Sequence, residues 1–118
     1  MSLTSDLIRG NTESVILSIL LGGDNYGYAI NRRICEASDG RYELKEATLY
    51  TAFRRLEENG FIRSYWGDEA SGARRRYYAI TEDGKHEYAR RHAEWSEATK
   101  LIGRLLVEPP AGAGSTLI

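Results

Sequence analysis

Two runs of arginine, Arg54-Arg55 and Arg74-Arg75-Arg76, with Arg41 and Lys45 close by, are the side chains of this 118-residue sequence best suited to gripping a polyanion. A guanidinium fork meets phosphate oxygens in planar, charge-assisted geometry. The whole-chain charge gives no hint of this, because sixteen Lys and Arg stand against seventeen Asp and Glu. The balance is uneven along the chain. Residues 1–40 hold three basic and five acidic side chains, residues 41–80 hold eight and six, and residues 81–118 hold five and six. Only the middle third is net basic, so a nucleic-acid partner has to be met by a local surface rather than by bulk charge.

Other reactive residues do not assemble into a catalytic or metal pattern. His86-Glu87-Tyr88-Ala89-Arg90 falls short of the zinc-protease spacing, because Arg90 stands where the second histidine is required. His86 and His92 are six residues apart and lie on different faces of a helix. Cys35, the single cysteine, has no neighboring residue that marks a nucleophile and excludes an intramolecular disulfide framework; it suits a reducing compartment. No glycine-rich phosphate loop is present, so neither an enzyme nor a cofactor or metal site is expected. The longest apolar run, Val15 to Leu21, is interrupted by Ser18 and is too short to span a membrane. The expectation is a soluble, cytoplasmic protein.

The elements that must carry these arginines follow from periodicity. Thr4 or Ser5 can cap a helix with Leu7, Ile8, Val15, Ile16, Ile19 and Leu20 at helical spacing, ended by Gly22-Gly23. Asp24 or Asn25 can cap a second helix with Ala29, Ile30, Ile34 and Ala37 on one face. A third runs from about Glu46 to Asn59, with Leu49, Ala52, Phe53 and Leu56 inward and Ala47, Thr48, Thr51, Arg54, Arg55 and Glu58 outward. Phe61 to Trp66 and Arg75 to Ile80 read as an antiparallel hairpin around a polar turn, 67–73. Alternation then sends Arg74 and Arg76 to one face and Arg75 to the other.

Thr81 followed by Glu82-Asp83 starts a last helix that reaches about Val107, where Pro109-Pro110 stops it. Tyr88, His92, Trp95, Thr99, Ile102 and Leu106 form a short heptad seam along it. A helix of some 25 residues is about 38 Å long, more than so small a domain can cover, and its seam calls for a partner. The expected fold is therefore α+β and mostly α: a winged helix-turn-helix over residues 1–80 with a two-stranded wing, a dimerization helix over 81–107, and a disordered tail over 108–118.

Three segments resemble one family. EATLYTAFRRLEENGFI (Glu46 to Ile62), GDEASGARRRYYAITEDG (Gly67 to Gly84) and Asn25-Tyr26-Gly27-Tyr28 are similar to PadR-type transcriptional regulators, in the same order, and the likeness covers roughly residues 7–106. The short C-terminal part resembles the subgroup containing a multidrug-binding repressor. The resemblance implies a homodimer, joined through the final and first helices, that binds double-stranded operator DNA. Lys45, Thr48, Tyr50, Thr51, Arg54 and Arg55 would serve on the recognition helix, with Arg74, Arg75 and Arg76 on the wing. Tyr50 has a competing role in packing against the preceding helix.

The same resemblance places a planar aromatic effector between paired Trp95 indoles, lined by Leu7, Gly10, Ser14, Ala98 and Thr99. Thr99 stands where the multidrug binder has a carboxylate, and Ser14 replaces a larger aliphatic residue. The rival reading is a winged-helix interaction module that dimerizes without touching DNA.

Overall fold

The computed structural model describes residues 2–67 and 74–112. The helices are α1 (Leu3–Gly10), α2 (Thr12–Leu21), α3 (Gly27–Ala37), α4 (Glu46–Glu58) and α5 (Glu82–Leu105), and the strands are β1 (Asn25–Tyr26), β2 (Ile62–Trp66) and β3 (Arg76–Ile80). The strands form an antiparallel sheet in the order β1-β3-β2. The turn between β2 and β3, 68–73, and the end of the tail, 113–118, lie outside the described residues.

One core unites three helices and the sheet. Ile16, Leu17 and Leu20 of α2 meet Ile30 and Ile34 of α3, Leu49, Ala52, Phe53 and Leu56 of α4, and Ile62 and Tyr78 of the sheet. Phe53 stacks on Tyr78 with ring centroids 4.0 Å apart. All four residues of the expected inward stripe of α4 are buried, which fixes its opposite face toward solvent.

Two local expectations are corrected. The single first helix is two, divided at Asn11, and its cap is Ser2 rather than Thr4 or Ser5. Asn11 donates its side-chain amide to the Leu7 carbonyl at 2.7 Å, and the Thr12 hydroxyl bonds the Arg9 carbonyl at 3.1 Å, so polar side chains close one helix as the next begins. Asn25 does not cap α3. Asn25 and Tyr26 pair with Tyr78 and Tyr77 as a third strand added to the hairpin, and Tyr26 is the residue preceding the helix. An edge-to-face contact between Tyr26 and Tyr77, centroids 5.6 Å apart, supports that pairing.

The start of α5 is joined closely to the sheet. The Thr81 hydroxyl accepts from the Gly84 N–H at 3.0 Å and donates to the Gly60 carbonyl at 2.7 Å. A Cβ at Gly84 would lie 2.0 Å from the Phe61 carbonyl oxygen, so only glycine permits this approach. Beyond Trp95 the helix continues with Leu101, Ile102 and Leu105 exposed.

Candidate nucleic-acid interface and interhelical cleft

Helix α4 is aimed by the segment that leads into it. Asn31 of α3 donates its amide to the Leu44 carbonyl at 2.8 Å and accepts from the Leu44 N–H at 2.9 Å. Ser38 Oγ accepts from the Tyr42 N–H at 3.0 Å, fastening the same segment at its other end. With this approach held and the Leu49–Leu56 stripe buried, Lys45, Thr51, Arg54 and Arg55 are exposed together, while Thr48 is half-buried.

Tyr50 stands at the junction of two helices. A Cβ at Gly27 would lie 2.8 Å from its hydroxyl, and its ring meets Phe53 edge-to-face at 5.5 Å. It therefore packs on the head of α3, as the competing role requires, while 46% of its surface stays open. The glycine of the Gly27-Tyr28 pair makes room for this ring.

The arginine run divides between the two faces of the sheet. Arg74 and Arg76 lie against Trp66, with guanidinium carbons 5.4 and 6.0 Å from its ring, and Arg75 lies over Tyr26 at 4.6 Å. Arg76 also donates to Ser64 Oγ at 2.8 Å and pairs with Glu57 of α4 at 3.5 Å. Ser64 donates to Glu57 at 2.6 Å, so β2, β3 and α4 share one carboxylate. On the other face Tyr65 stacks on Tyr77 and donates to Asp24 at 2.6 Å, and that bond raises the Tyr65 pKa.

A cleft of about 630 Å3 opens between α1, α2, the end of α3 and α5. Leu7, Ser14 and Trp95 line it, together with Tyr88, Arg91 and His92, which the sequence reading had not assigned to it. A smaller cavity of about 340 Å3 adjoins it and brings Gly10, Ser14, Trp95 and Ala98 beside Arg90 and Glu94. Thr99 lines neither cavity; its hydroxyl donates to the Ser96 carbonyl at 3.0 Å. The departure at that position therefore alters neither cavity.

Two arginines of the cavity walls, Arg90 and Arg91, are held by carboxylates. Glu87 accepts from Arg90 at 2.8 Å and from Arg91 at 2.6 Å, and these two guanidiniums hold its pKa down to about 2. Arg91 reaches Glu13 at 3.2 Å, and Glu13 reaches Arg55 of α4 at 3.3 Å. Sequence spacing did not reveal the Glu13 pairs, because Glu13, Arg55 and Arg91 belong to three different helices. The only local signal was Glu87 at helical spacing from Arg90 and Arg91.

The described residues contain no group of three or more His, Cys, Asp or Glu side chains able to hold a metal ion, and no helix among them is long and apolar enough to cross a membrane. Cys35 is a free, half-buried thiol.

Known proteins share this arrangement. The chain is similar to a solved transcriptional regulator from Clostridium thermocellum, 45% identical with a TM-score of 0.78, over 86% of this chain and 99% of that one. It is similar to a PadR family transcription regulator from Clostridium difficile R20291, 35% identical with a TM-score of 0.73, over 82% and 99% of the two chains. A protein of Lysinibacillus sphaericus is 42% identical over 98 residues, 83% of this chain and 90% of that one. Residues 16–90 match the transcriptional regulator PadR-like family. These likenesses support a DNA-binding transcriptional regulator rather than an enzyme or an interaction module that leaves DNA alone. With the family match running from the middle of α2 to the first turns of α5, and relatives 35% and 45% identical that share the fold, the chain belongs to the PadR-like family of transcriptional regulators.

Proposed function

We propose that the protein acts as a homodimeric repressor whose hold on operator DNA is released by a planar aromatic molecule bound where the two protomers meet. In this reading residues 1–80 form the DNA-binding domain and 81–107 the dimerization helix, and the protein works in the cytoplasm. The observation that carries it is α5: Trp95, 43% exposed, sits in an open cleft, and the turns beyond it leave Leu101, Ile102, Leu105 and Leu106 exposed. A second copy of α5, packed beside α1 and α2, covers that apolar surface and brings two indoles together across the two-fold axis.

On DNA, α4 enters the major groove. Thr48 and Thr51 meet base edges, Lys45, Tyr50, Arg54 and Arg55 meet phosphate, and the wing arginines follow the backbone or the neighboring minor groove. Because Arg75 faces away from Arg74 and Arg76, at most two of the three engage one stretch of DNA. An effector weakens this binding only as far as it prefers the DNA-incompetent arrangement of the two α4 helices.

The test is a mobility shift on the DNA upstream of the protein's own gene, repeated across salt concentrations, since phosphate contacts release counterions. Specific binding should fall steeply with salt, and Thr51→Ala should change sequence preference while Arg76→Ala weakens all sequences alike. Planar aromatic compounds should quench wild-type tryptophan fluorescence and release the DNA. Quenching that survives Trp95→Ala assigns the signal to Trp66 and sinks the effector site.

A further inference from the structure

Glu13 occupies an unusual position between the two functional regions. It lies in the first turn of α2, its side chain is only 19% exposed, and its two carboxylate oxygens serve different helices. Oε2 faces Arg55 of the recognition helix at 3.3 Å, and Oε1 accepts from Arg91 of α5 at 3.2 Å. Arg91 is itself held by Glu87 at 2.6 Å and lies over the Phe61 ring at 5.9 Å, and it lines both cavities beside Trp95.

The atoms used matter. Glu13 meets Arg55 at Nε, the nitrogen nearest the chain, and the Arg55 side chain is 68% exposed. The two terminal nitrogens form the fork suited to a phosphate, and the side chain that carries them is mostly open to solvent. An acid beside a DNA-binding arginine ordinarily opposes binding through its charge. Here its placement restricts the freedom of a long side chain and leaves the phosphate-facing end open, so ordering is completed before DNA arrives.

We infer that Glu13 is a positioning residue that sets Arg55 for a DNA phosphate and couples its setting, through Arg91, to the cleft at Trp95. This rests on the reading of α4 as the DNA-contacting helix and of the cleft as the effector site. A ligand that draws Arg91 toward the cleft pulls on the oxygen-sharing carboxylate, and Arg55 loses its fixed orientation. The sites are thereby joined by three side chains, with no refolding of the helices between them.

The experiment measures affinity of the full chain for a fluorescent random-sequence duplex of about 30 base pairs at several salt concentrations, which requires no knowledge of the operator. Wild type, Glu13→Gln, Arg91→Gln and the double variant are compared, with thermal unfolding as the control for folding. Glutamine offers one acceptor oxygen and cannot serve both arginines. Glu13→Gln should weaken DNA binding about threefold, although it removes a negative charge, and should make the logarithmic salt slope shallower by up to about 0.9, the share of one phosphate contact. Arg91→Gln should cause a similar loss in wild type and no further loss in the Glu13→Gln background.

Tighter binding by Glu13→Gln, unchanged binding, or losses that add in the double variant each overturn the coupling. If Arg91→Gln does not fold, the sign of the Glu13→Gln effect decides alone. Failure of wild type to bind any duplex overturns the DNA-contact reading itself, which is distinct from normal binding with additive variants.

Discussion

On α4, Leu49, Ala52, Phe53 and Leu56 are all at least nine-tenths buried, whereas on the last turns of α5 and at its C-cap, Leu101, Ile102, Leu105 and Leu106 are 46% to 70% exposed. Both helices carry apolar side chains at helical spacing. The difference is that α4 has neighbors on its apolar side within one chain, α2, α3 and the sheet, while the end of α5 has run past them. Apolar patterning alone reports that a surface is to be covered; only the fold distinguishes cover supplied internally from cover that must come from another molecule.

The sharpest way to break this contrast is from the buried side. Phe53→Ala removes a ring stacked on Tyr78 and touched by Tyr50, and should cost about 3–5 kcal/mol of folding stability in denaturant unfolding. Next comes the exposed side. Ile102→Glu with Leu106→Glu should raise the dimer dissociation constant about a hundredfold, roughly 2.8 kcal/mol, in sedimentation equilibrium while the core circular dichroism stays unchanged. Loss of secondary structure in that variant would show that the α5 end supports its own protomer.

A smaller effect is expected at the junction of the two regions. Thr81→Ala removes the cap of α5 and its bond to Gly60, and should lower stability by about 1 kcal/mol. The smallest is a pH effect. Because Glu87 is held down to about 2 by Arg90 and Arg91, its stabilizing contribution is complete above the ordinary carboxylate pKa near 4.5 and is lost as pH falls toward 2. Glu87→Gln should lower stability modestly at neutral pH and flatten that part of the acid-unfolding curve, so that variant and wild type converge as pH falls toward 2.

Much of the fold was legible because it depends on local patterning. The inward stripe of α4, the hairpin, and the Thr81 cap all follow from residues close in sequence. The missed features depend on distant partners. Asn25-Tyr26 resembles a helix entry until Tyr77 and Tyr78 of β3 claim it as a strand. Asn11 offered a visible clue, a short polar side chain able to bond backbone within an apolar pattern, but the apolar spacing on both sides concealed the break.

The candidate site divides the same way. The outward face of α4 could be read from periodicity, and five of the six residues assigned to the ligand line a cavity. The exception, Thr99, lies one turn beyond Trp95 and is exposed. The Glu13 link was hidden for another reason: its partners Arg55 and Arg91 are far along the chain and each is one arginine of an adjacent pair. Spacing could not choose between members of those pairs.

The close seat of Gly84 against the Phe61 carbonyl gives α5 a fulcrum at the root of the wing. From that point the 24-residue helix is a lever about 36 Å long. A tilt of about five degrees there moves the far end by about 3 Å, comparable to the fit between a protein side chain and a base edge. In the proposed dimer, small rearrangements at the root would be read out as changes of distance between the two copies, and a bulkier residue at position 84 would shift the lever's resting angle as well as loosen its seat.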